Sequence, residues 1–185
     1  MRRLKYMLIA MSLMLASCAG EKDSSKNDTQ TNSDVLEASE SKIDIEKIKQ
    51  RLCNEFPKEL VLSYNPGGTH IDIETVDNGS GGILHCNAKL FYGKKEHEYW
   101  KGQVSAHINQ MLDPFWQYSP ERNATLYHKV EGLGDKAVYI SNMYQLQILK
   151  EGVLYTITPP YHGNTTTSGK ENKAIALEIA KHYNL

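Results

Sequence analysis

"LQILKEGVLYTI", residues 146–157, decides the fold. Glu151-Gly152 stands in the middle as a two-residue turn signal, with alternating apolar and polar residues on both sides. Centring a hairpin there pairs Lys150 with Val153, Leu149 with Leu154, Ile148 with Tyr155, and Leu146 with Ile157. Ile148/Tyr155 and Leu146/Ile157 then share one face, while Gln147 meets Thr156 on the other. A slip of one residue would scatter that match, so the pattern sets the register. Turning back at Asn142-Met143 puts Ala137 and Tyr139 on the same apolar face, which makes a three-stranded antiparallel meander. Pro159-Pro160 ends its last strand.

Upstream, residues 83–92 (ILHCNAKLFY) alternate cleanly. Leu84, Cys86, Ala88, Leu90 and Tyr92 take one face; His85, Asn87 and Lys89 take the other. After Gly93-Lys94-Lys95-Glu96 the alternation resumes over 98–108, with Trp100, Val104, Ala106 and Ile108 together. This is a second hairpin with one wet face. Two further strand-like runs, LVLSY and THIDIET, flank the turn signal Asn65-Pro66-Gly67-Gly68, and another loop spans 77–82. Residues 109–129, with Phe115 and Trp116 beside Pro114 and Pro120, read as a short helix followed by a loop.

Helical spacing appears at both ends of this region. Ser41-Lys42-Ile43-Asp44 has the form of a capping box, and Ile45, Ile48, Leu52 and Phe56 follow at helical intervals until Pro57. Cys53 falls in the last turn, beside that stripe. Ser168 and Glu171 cap a final helix with Ile175, Ala176, Ile179, Ala180 and Tyr183 in a stripe and Leu177 off it. The expected class is α+β: an antiparallel sheet of about five to seven strands packed against an N-terminal and a C-terminal helix.

The chain begins differently. Residues 1–6 (MRRLKY) are basic and residues 7–16 (MLIAMSLMLA) apolar apart from Ser12, the layout of a secretory signal peptide. Ten residues reach only about 15 Å as a helix, half of a hydrocarbon core. Leu15-Ala16-Ser17-Cys18 resembles the lipobox of bacterial lipoproteins. That resemblance implies cleavage after Ser17, a diacylglyceryl group on the Cys18 thiol and acylation of the freed amine. Several acyl chains hold a protein at a membrane surface where one would not. The alternative is an ordinary signal peptide with an incidental cysteine. Ala19 and Gly20, neither acidic, suit outer-membrane delivery in the bacterial cell envelope under enteric-type sorting, while Glu21 and Asp23 fit surface export in other phyla.

Residues 18–41 are then the lipidated terminus and a flexible polar tether, whose coil would reach about 25–30 Å. Residues 42–185 suit a single globular domain. Residues 18–185 keep all 22 acids and lose three of the 21 bases, giving a net charge of −4. That balance gives no electrostatic case for nucleic acid. With Cys18 set apart, Cys53 and Cys86 remain. In an oxidising compartment an even count argues for a bridge worth about 3–4 kcal/mol; the rival is two separate buried thiols.

Catalytic patterns are not found. Gly79-Ser80-Gly81 is only part of a nucleophile elbow, and His97-Glu98 is followed by Tyr99-Trp100-Lys101 rather than a second histidine at metal-ligand spacing. His85 and Cys86 point to opposite strand faces, which argues against a cysteine nucleophile. No metal or cofactor is expected. Gly132-Leu133-Gly134-Asp135 lacks the helix that a phosphate loop feeds; it reads as a tight turn with glycines at positive φ and Asp135 bonding local amides. Eleven tyrosines offer surface for a sugar or a protein partner.

Taken together, "VEGLGDKAVYI…LQILKEGVLYTI…ALEIAK" resembles the C-terminal half of small bacterial envelope lipoproteins, similar to the extracellular sensor-like domains of mycobacterial receptor kinases. The resemblance implies a helix-borne cysteine paired with a strand-borne one, here Cys53 and Cys86, a sheet packed on helices, and a binding role. The expected function is a membrane-anchored envelope lipoprotein with a non-catalytic ligand- or partner-binding domain. A periplasmic immunity or inhibitor protein is the alternative, and an unrecognised hydrolase a more distant third.

Overall fold

The computed structural model describes residues 43–77, 84–162 and 170–185. Cys18, Ser41, the 78–82 loop and Ser168 lie outside the described residues. In chain order the elements are α1 (Ile45–Asn54), α2 (Lys58–Ser63), β1 (His70–Asp77), β2 (Leu84–Phe91), β3 (Tyr99–Ile108), β4 (Tyr127–Val130), β5 (Lys136–Ile140), β6 (Gln145–Lys150), β7 (Val153–Thr158) and α3 (Lys170–His182). The strands form one antiparallel sheet in the order β1-β2-β3-β7-β6-β5-β4. The fold is α+β.

The β6–β7 hairpin has the register its sequence dictates, Lys150 to Val153 through Leu146 to Ile157. Ala137 and Tyr139 on β5 face Ile148 and Leu146. Strand β2 alternates as expected, with Leu84, Cys86, Ala88 and Leu90 all buried. These residues define an inner face, on which Leu52, Cys53, Phe56, Val61, Ile175, Ile179 and Tyr183 of the helical layer close a single large core. Leu177 packs at the edge of that core, so the α3 stripe is wider than its five strongest positions. Cys53 and Cys86 are disulfide-bonded, which staples α1 to β2. The Tyr183 hydroxyl donates to the Leu52 carbonyl (2.6 Å), tying α3 to α1.

Four readings change. Helix α1 is capped by Asp44, whose Oδ1 accepts from the Lys47 amide at 3.0 Å, so the helix starts later than a box at Ser41 would set it. LVLSY is mostly helix: α2 begins after Pro57, and Ser63 Oγ and Asn65 Nδ2 bond back to the Leu60 and Val61 carbonyls. A five-residue apolar run has no period of its own, and here the buried Val61 and these two side chains decide it.

Residues 109–126 form no helix. Asn109, Asp113 and Asn123 turn the backbone by accepting from the amides of Met111 (3.1 Å), Phe115 (2.9 Å) and Thr125 (3.1 Å), and β4 follows where a loop was expected. This strap lays Phe115, fully buried, on the outer face of the sheet against Val138, Ile140 and Leu154.

The fourth concerns the glycine turn. Gly132 and Gly134 take φ of 76° and 52°. A β-carbon on Gly134 would stand 2.4 Å from the Leu149 carbonyl oxygen, so the position needs glycine twice over. Asp135 does not serve local amides: its Oδ2 accepts from the Glu151 amide (2.9 Å) in the β6–β7 turn, fastening one turn to the other.

Candidate functional site

The two halves of the outer face are finished differently. Over β5–β7 the strap and Phe115 cover it. Over β1–β3 no described element does, and apart from Val76 the outward residues there are polar or aromatic. Register alone places Lys89 of β2 directly opposite Lys101 of β3, with Asp72 of β1 on the far side of Lys89. Like charges in directly opposed positions destabilise a strand pair. Lys89 is partly relieved by Glu74 (3.6 Å), whereas Lys101 forms no ion pair among the described residues. Both ammonium groups stand near the Tyr99 ring, 5.8 and 5.9 Å from its centroid.

Around this pair the surface is ordered. On one side an aromatic row runs from His70, stacked on Phe91 at 4.4 Å, to Tyr99 at 5.3 Å. On the other, Gln103 Nε2 bonds both Asn87 Oδ1 (3.2 Å) and His85 Nδ1 (2.8 Å). Further along β3, burial and then the nearby His85 hold the His107 imidazole below the usual histidine range. Glu74, Asn87, Lys89, Tyr99 and Lys101 line a cleft of about 270 Å³. Glu74 offsets Lys89, which leaves the Lys101 cation, an aromatic ring and an amide at the edge suited to a carboxylate or another anion.

A larger cleft, of about 370 Å³, lies between α1, the β6–β7 turn and residues 183–185. Its floor is Ile48, Leu52, Val153 and Tyr155, and much of its polar lining is already engaged. Asp44 caps α1, Arg51 pairs with Glu55 at 3.0 Å, and Lys150 Nζ donates to the Asn184 carbonyl. Burial holds the Tyr155 and Tyr183 phenols above their ordinary range, so both stay protonated hydrogen-bonding groups. This cleft is a packing seam. The β1–β3 face has the unanswered charge.

The sequence-derived site residues do not converge. Cys53 and Cys86 meet each other inside the core, and Gly132, Gly134 and Asp135 sit at a sheet end near Glu151. Lys89, Lys101 and Tyr99 were not singled out by motif. Their signal was available in the hairpin centred on residues 93–97, which fixes Lys89 opposite Lys101 once the turn is placed. Among the described residues no group of three or more His, Cys, Asp or Glu is arranged to hold a metal ion, and no helix is long and apolar enough to cross a membrane. No known protein family, curated protein or solved structure matches the chain.

Proposed function

We propose that this chain is a bacterial envelope lipoprotein, anchored through Cys18, whose domain binds an acidic partner without transforming it. The observation that carries the binding role is Lys101, directly opposite Lys89, without an ion pair among the described residues, beside the Tyr99 ring on a face that no described element covers. Glu74 and the Tyr99 ring offset only part of that repulsion, whereas an incoming carboxylate beside Lys101 removes it and adds a charge-assisted hydrogen bond. The anchor rests on the basic, apolar and Leu-Ala-Ser-Cys segments of residues 1–18. The Cys53–Cys86 disulfide supports it, because such bridges persist in exported proteins.

Two experiments test the two parts. Cys18→Ala should release the protein from membranes and abolish labelling with radioactive fatty acid; a variant that still carries label removes the anchor. For binding, the chain is used to capture partners from native envelope extract. Lys101→Glu should lose what the wild type retains, while Lys129→Glu on the far edge strand should keep it. Equal capture by all three overturns the assignment of the face. A captured hydrolase or toxin whose activity falls on binding would give the same face an inhibitory role.

A further inference from the structure

The strap that covers half of the outer face also does the opposite of burial. Leu112 is 106% exposed, and Met111 and Trp116 are 50% and 47% exposed. These side chains do not hang on loose chain. Asn109 both accepts from the Met111 amide (3.1 Å) and donates to its carbonyl (2.7 Å). Asp113 accepts from Phe115, is gripped by Lys136 at 3.0 Å, and its carbonyl receives the Trp116 amide at 3.4 Å. Phe115 between them is anchored in the sheet. The backbone is fixed, and the apolar side chains have been left outside it.

Where this tip points is set by one glycine. The Asn109 amide donates to the Gly152 carbonyl (2.8 Å), so the tip leaves the sheet at the β6–β7 turn. The Ile43 Cδ1 atom lies over the same Gly152, 3.4 Å from where a β-carbon would stand. Ile43 is where the chain running from Cys18 enters the domain. Ile43, the first described residue, and the apolar tip therefore lie at the same end of the sheet.

We infer that Met111, Leu112 and Trp116 form a second membrane contact, inserting into the lipid surface that holds the Cys18 anchor. This rests on the lipoprotein reading given above. The chemistry favours lipid over a protein partner. Two adjacent apolar side chains and one tryptophan make a narrow tip, far below the roughly 800 Å² per partner of a standard protein interface. Tryptophan is enriched at the headgroup boundary, and Arg122, 5.0 Å over the Trp116 ring, supplies a cation at that depth. The anchor confines the domain near the bilayer, so a contact too weak to recruit a free protein suffices. Docked by this end, the domain holds Lys101 roughly 20–25 Å farther out along β3.

The test uses the purified lipidated protein in phosphatidylcholine vesicles, with Trp100→Phe as background so that Trp116 alone reports. Lipids brominated along the acyl chain should quench Trp116, and iodide in the buffer should not. Adding Leu112→Asp should abolish the bromolipid quenching and restore iodide access while the protein still floats with the vesicles. An unchanged thermal melt confirms that this fully exposed position leaves the fold intact. Trp116 open to iodide in the anchored parent overturns the inference. So does Trp116 shielded from iodide but unquenched by bromolipid, the signature of a second copy at the tip. A protein that carries no acyl group on Cys18 and does not float removes the anchor and the inference together.

Discussion

The outer face of the sheet shows two solutions to one problem. Over β5–β7 the strands carry Val138, Ile140 and Leu154, and an irregular strap brings Phe115 to close them off. Over β1–β3 the equivalent positions are His85, Asn87, Lys89, Lys101 and Gln103, which satisfy one another or face water. Ser105 of β3 is a buried polar residue where the two regimes meet, opposite Thr156 of β7. The difference teaches that a sheet face needs no helix to be closed. One aromatic on a strap held by side-chain turns is enough, and the half that lacks it is free to bind.

The contrast breaks first at Phe115. Phe115→Ala should cost about 3–5 kcal/mol in denaturant unfolding, because it empties a fully buried site packed against Val138, Ile140 and Leu154. A loss below about 1 kcal/mol would mean the strap only decorates the sheet. The open half is held from its inner side instead, by the disulfide. Replacing both cysteines, Cys53→Ala with Cys86→Ala, should cost about 3–4 kcal/mol, from a 33-residue sequence separation. That loss should match the one produced in the wild type by a reductant.

Smaller effects sharpen the comparison. Lys101→Gln should stabilise the domain by about 0.2–1 kcal/mol by removing a like-charge pair, while abolishing capture of the acidic partner. A substitution that raises stability and lowers binding is the signature expected of a site rather than of packing. His107 gives the gentlest test. Its native imidazole is held below 6.5, so the unfolded chain binds the proton more readily. Stability is therefore full above pH 6.5 and declines as pH falls from there toward the lowered native value. His107→Gln should flatten thermal melts compared between neutral pH and about pH 5.

The legible parts of this chain were those with a period and a turn. The β6–β7 register followed from Glu151-Gly152 and strict alternation, and the α3 stripe from five apolar positions. The LVLSY run misled because five residues do not distinguish a strand from a turn and a half of helix, and Asn65 and Ser63 made the decision through hydrogen bonds that no pattern displays. The strap was illegible for a related reason: its turns come from Asn109, Asp113 and Asn123, and its one core residue is isolated. A hint was present in β5. Ala137, Val138, Tyr139 and Ile140 run without alternation, and all four are buried, which means burial on both faces. The lysine pair was readable but had no motif to draw attention to it.

The β3–β7 seam has a consequence in time as well as in space. Each arm of the sheet, β1–β3 and β4–β7, is built from neighbouring strands, while the seam joins residues such as Ile108 and Val153 from opposite sides of the strap. Loop closure makes such a pairing slow, so the arms should form early and the seam last. The disulfide joins α1 to β2, both on the N-terminal side of the strap, and can be oxidised before the arms meet. The strap is then a hinge as well as a cover. Its length sets whether β3 finds its own β7 or, at high concentration, that of a neighbouring chain.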